Sequence, residues 1–110
     1  MNEILEIQIQ EAKKKFDRHD CMFVDVPDPG SYRAAHIPGA VHLHDGNVQE
    51  FIEGTDKDRE VIVYCYRGNS SLGAVAYFME SGFKNVASMS GGFEAWRQVY
   101  EHPQQAKIRI

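Results

Sequence analysis

Val61-Ile62-Val63-Tyr64-Cys65-Tyr66-Arg67-Gly68-Asn69-Ser70-Ser71-Leu72-Gly73-Ala74-Val75-Ala76-Tyr77-Phe78-Met79-Glu80-Ser81-Gly82 is the stretch from which the rest of the chain is read. Its first four residues are β-branched or aromatic, the pattern of a buried strand. Leu72, Val75, Ala76 and Met79 then recur at helical spacing, and Gly82 is placed to end that helix. Cys65 therefore falls at a strand-to-helix turn. Gly68 and Asn69 tolerate positive φ and Ser70 or Ser71 can cap the helix, so the turn is able to curl with successive backbone N–H groups aimed at one spot. Such a spot suits an anion.

A cysteine ending a buried strand is often only a small core residue. The polar run after Cys65 argues for an exposed turn, where loop amides and a helix N-terminus stabilise a thiolate and make the residue a candidate nucleophile. Cys21 has no such surroundings, precedes Met22-Phe23-Val24, and reads as a strand-edge or core residue. Two cysteines do not make a disulfide framework.

The 110 residues fit one domain, expected over 1–103, with 104–110 as a tail. Hydrophobic residues make up 43% and charged residues 25%, the balance of a soluble globular protein. The sequence lacks an apolar run near the roughly 20 residues a membrane span needs, and it lacks a basic-then-apolar leader, so a cytoplasmic location is expected. A net charge of −4 offers no basic face for nucleic acid, and Lys13-Lys14-Lys15 reads as a solvated helix face. Neither nucleic acid nor a membrane is an expected partner.

Outward from the central stretch, strands are expected at 4–7, 23–26, 41–43 and 86–89, and helices at about 8–19, 31–36, 46–53 and 93–100. Asp45 is the expected cap of the third of these helices. His36, His42 and His44 lack the spacing of a zinc site, so no metal is expected. Gly91-Gly92 lacks the rest of a phosphate-binding fingerprint and reads as a tight turn. Strands alternating with helices imply an α/β fold with a largely parallel sheet, and in such sheets ligands bind at the C-terminal ends of the strands.

The loop CYRGNSS, the segment FVDVPDPGSYRAAHIPGAVHL at 23–43 and SGGFEAWRQ at 90–98 together resemble the rhodanese family of sulfurtransferases, in particular its short single-domain bacterial thiosulfate sulfurtransferases of the GlpE type. The chain departs from the family at Pro27, where an Arg is usual, and at Ala35, where a Gly is usual. The resemblance implies a rhodanese-like three-layer α/β/α fold with a five-stranded, mainly parallel sheet in the order 3-2-4-5-1. It implies Cys65 as the catalytic nucleophile, with Tyr66, Arg67, Gly68, Asn69, Ser70 and Ser71 forming the substrate-binding loop and no cofactor required. Thiosulfate is then the expected donor, and cyanide or a thiol such as reduced thioredoxin the acceptor. Arg67 is either a guide for thiosulfate or a solvated loop charge.

Two other classes stand beside this reading. A cysteine-dependent phosphatase or arsenate reductase needs an Arg six positions after the Cys, whose forked donors match the phosphoryl oxygens, and Ser71 occupies that position. A non-catalytic partner-binding module would not need both the Cys and its amide-rich loop, while a sulfur-carrier rhodanese module loaded by another donor stays as the alternative.

Overall fold

The computed structural model of the chain describes residues 5–26, 36–66, 68 and 70–101. Five parallel strands form one sheet: β1 Glu6–Ile7, β2 Met22–Asp25, β3 Val41–His42, β4 Val61–Tyr64 and β5 Val86–Met89. Their spatial order is β1-β5-β4-β2-β3, which from the opposite edge is the expected 3-2-4-5-1. The helices are α1 Ile9–Arg18, α2 Val48–Gly54, α3 Ser70–Glu80 and α4 Gly92–Trp96, the last continuing as a π-helical turn over Arg97–Glu101.

β4 is central, and its alternation divides the interior between two faces. Val61 and Val63 join Val24, Val75, Phe78 and Phe83 on the side covered by α2 and α3. Ile62 and Tyr64 join Phe23, Met89, Phe93, Trp96, Ile9 and Ala12 on the side covered by α1 and α4. All four β4 residues are buried, which explains why its sequence is continuously apolar instead of alternating. The Tyr64 hydroxyl reaches sideways to accept the Ile37 N–H at 3.0 Å, so the buried phenol also anchors the turn that leads into β3.

Element ends differ in detail from the sequence reading. α2 begins at Val48, and Asn47, not Asp45, is its N-cap residue. The Asn47 side chain accepts from the His44 N–H at 2.8 Å and donates to the His42 carbonyl at 2.9 Å, drawing the entry of the helix back onto the end of β3. α3 starts at Ser70, two residues before its first apolar position, so Ser71 lies inside the helix rather than capping it. Its C-terminus closes as expected on Gly82, at φ 103°, whose N–H donates to the Met79 carbonyl at 3.1 Å. The expected helix at 31–36 and the tail at 104–110 fall, apart from His36, outside the described residues, as do Pro27, Ala35, Arg67 and Asn69.

Candidate active site

Cys65 follows the last residue of β4 and is only 1% exposed. Its Sγ accepts the Gly68 N–H at 3.1 Å and the Ser71 N–H at 3.3 Å, and it lies 3.5 Å from Ser71 Oγ. A sulfur facing backbone donors from both sides of the turn is placed as an acceptor, the role a thiolate or persulfide requires. Gly68 reaches this position at φ 99°, a region closed to most side chains.

The turn is held from behind by α4. The Phe93 N–H donates to the Cys65 carbonyl and the Glu94 N–H to the Tyr66 carbonyl, each at 2.8 Å. In a trans peptide the carbonyl and N–H point in opposite directions, so fixing the Cys65 carbonyl on α4 turns the Tyr66 N–H away from it. Gly92, at φ 64°, makes the close approach possible, because a Cβ there would lie 2.5 Å from both the Cys65 and Tyr66 carbonyl oxygens. The pair Gly91-Gly92 is the tight turn expected, and its task is to admit the loop.

The structure brings Cys65, Tyr66, Gly68, Ser70 and Ser71 together at the junction of β4 and α3. Sequence reasoning missed two contributors. Gly92 is one. The other is Ser88 on β5, 1% exposed, whose Oγ is 2.8 Å from Ser71 Oγ. A serine within the short apolar run Val86-Ala87-Ser88-Met89 was the available signal, because a hydroxyl buried in a core strand needs a polar partner.

Cys21 stands apart, half-buried at the start of β2. Burial, reinforced by the nearby Glu60 and Asp20 carboxylates, pushes its thiol up to about 11. Among the histidines, the His42 and His44 rings are 5.8 Å apart, and burial followed by the charges of His44 and His36 lowers the His42 imidazole below its ordinary value. Among the described residues no group of three or more His, Cys, Asp or Glu side chains is arranged to hold a metal ion, and no helix is long and apolar enough to cross a membrane.

Residues 8–99 match the rhodanese-like domain family. The chain belongs to the rhodanese family. Among curated members, it is 42% identical over 94 residues to the thiosulfate sulfurtransferase GlpE of Pseudoalteromonas translucida, covering 86% of this chain and 90% of that one. It is 43% identical over 90 residues to thiosulfate sulfurtransferase GlpE of Pseudomonas paraeruginosa, covering 82% of each. Among solved structures, the human single-domain sulfurtransferase TSTD1 superposes with a TM-score of 0.76 at 14% identity, covering 87% of this chain and 97% of that one, a likeness of fold alone. This rhodanese is a sulfurtransferase enzyme of the single-domain GlpE type.

Proposed function

We propose that this enzyme moves sulfane sulfur from thiosulfate through a persulfide on Cys65. The Cys65 thiolate attacks the outer sulfur of thiosulfate, the S–S bond of the donor breaks, and sulfite leaves with the bonding electron pair. An acceptor nucleophile then attacks the sulfane sulfur and Cys65 departs as thiolate. The acceptor is cyanide, giving thiocyanate, or a thiol such as reduced thioredoxin, giving its persulfide.

The observation that carries this reading is the convergence of the Gly68 and Ser71 N–H groups on Cys65 Sγ. Donors fixed in advance around a sulfur that is an anion at both ends of the cycle need no reorganisation when the charge appears. In this proposal Tyr66, Arg67, Gly68, Asn69, Ser70 and Ser71 line the donor site, and Arg67, the loop's only cation, attracts the dianionic donor. Ser71, at the position where a phosphatase requires Arg, gives its N–H to the sulfur and brings its Oγ within 3.5 Å of it, which favours sulfur over phosphoryl chemistry. A reducing compartment such as the cytoplasm suits a reaction that needs a free thiolate.

Intact-mass analysis tests the proposal. Incubation with thiosulfate adds the mass of one sulfur atom to the parent chain and none to Cys65→Ser, and cyanide removes it. A parent chain that gains no mass would overturn the mechanism.

A further inference from the structure

Ser71 and Ser88 are 0% and 1% exposed, and among the described residues the only other buried polar side chain outside the hydrophobic core is that of Asp25. A buried hydroxyl is costly unless it is hydrogen-bonded. The pair makes a chain from the sheet to the sulfur: Ser88 Oγ to Ser71 Oγ at 2.8 Å, then Ser71 Oγ to Cys65 Sγ at 3.5 Å. Ser88 is held on both sides by main-chain pairing, opposite Val63 on β4 and Glu6 on β1, and its N–H donates to the Leu5 carbonyl at 2.9 Å. Its hydroxyl is therefore delivered to one place by the rigid sheet.

We propose that Ser88 is a positioning residue for the Cys65 nucleophile, acting through Ser71. A serine hydroxyl has one proton. When Ser88 donates its own to Ser71 Oγ, the Ser71 proton is directed to sulfur, adding an O–H donor to the N–H that the same residue already supplies. When Cys65 is a thiol, the order reverses: the S–H donates to Ser71 Oγ and Ser71 donates to Ser88. The two states differ by rotation of two hydroxyls, so no proton passes between oxygens.

The sulfur is an anion before it attacks the donor and again when the sulfane sulfur departs, and the same donor serves both moments. The inference rests on Cys65 being the sulfur carrier, but its effect on the thiolate is readable without sulfur transfer.

The experiment measures iodoacetamide alkylation of Cys65 against pH in a Cys21→Ser background. Ser88→Ala moves the profile to higher pH by about half a unit, a threefold change in the thiolate ratio. Ser71→Ala moves it at least as far, and the double variant moves it no further than Ser71→Ala, because Ser88 acts only through Ser71. Ser88→Thr, which keeps the hydroxyl, retains the parent profile even where its added methyl lowers the melting temperature. Ser88→Val has the shape of Ser88→Thr without the hydroxyl, so this pair decides the question if Ser88→Ala fails to fold: Val shifted from Thr supports the proposal, and coincident profiles overturn it. A Ser88→Ala profile superimposed on the parent, or shifts that add in the double variant, also overturns it. Absence of mass gain from thiosulfate in the parent, by contrast, overturns the persulfide reaction and leaves this readout intact.

Discussion

Replacing Gly92 with alanine tests how far the reactive loop depends on its seat against α4. The new Cβ would lie 2.5 Å from the Cys65 and Tyr66 carbonyl oxygens, where ordinary contact begins at about 3.4 Å, so something has to yield by about 0.9 Å. Both obstacles are backbone atoms, and both accept hydrogen bonds of 2.8 Å from the first turn of α4. A loop that retreats weakens two bonds of about 0.5–1.5 kcal/mol each, and the left-handed φ adds about 1–2 kcal/mol for any residue with a Cβ. The sum is about 2–5 kcal/mol, enough to lower the melting temperature by about 10 °C or more. Retreat also drags Cys65 from its amide donors, and a misplacement of about 1 Å costs about a hundredfold in rate. The assays are thermal unfolding and the steady-state rate with thiosulfate and cyanide. Gly39→Ala is the control, with φ 83° but nothing within 4 Å of its added Cβ, so it bears the backbone cost alone and keeps its activity. A Gly92→Ala variant no less stable than Gly39→Ala and as active as the parent would refute the argument that α4 seats the loop.

Cys65→Ser abolishes sulfur uptake from thiosulfate and Cys21→Ser leaves it nearly unchanged, as read by intact mass; turnover retained in Cys65→Ser would exclude Cys65 as the carrier. Arg67→Ala raises KM for thiosulfate more than it lowers kcat, the signature of a charge that binds donor equally in ground and transition states, and a fall in kcat at constant KM contradicts that role. Cys21 supplies a pH test. Burial raises its folded thiol from 9.0 to about 11, so the stabilisation is fully present below about pH 9 and is lost as pH climbs towards 11. The melting temperature of the parent is therefore expected to fall more steeply over that range than that of Cys21→Ser, and parallel curves would show the thiol to be unperturbed.

The sulfur-facing turn was legible because its determinants are local. A β-branched run, a glycine able to take φ 99° and a helix-forming stretch follow one another within a few residues, and each acts on its immediate neighbours. The sheet order came from resemblance, since alternation of elements dictates a parallel sheet but not which strands are neighbours. Asn47 rather than Asp45 stands at the start of α2, where its amide both accepts the His44 N–H and donates to the His42 carbonyl, a pairing no carboxylate can make. Ser88 escapes notice and Gly92 reads only as a tight turn because their partners lie 17 and more residues back along the chain, in or before the first turn of α3, and nothing local distinguishes a serine that serves the site from one that merely tolerates the core.

The contacts around the sulfur are mostly anonymous with respect to side chains. Gly68 and Ser71 give it their N–H groups, and Cys65 and Tyr66 give their carbonyls to α4, so four of the fixing bonds survive any replacement that keeps the main-chain path. Tyr66 adds its peptide carbonyl to that set, and its half-buried side chain packs against the core cluster that includes Tyr64 and Phe93. The bonds that fix the sulfur are in this way carried by the main chain. A library randomised at Arg67 is therefore expected to vary donor preference while leaving these four bonds in place, whereas a side chain at Gly92 would meet the Cys65 and Tyr66 carbonyl oxygens and is expected to disturb them.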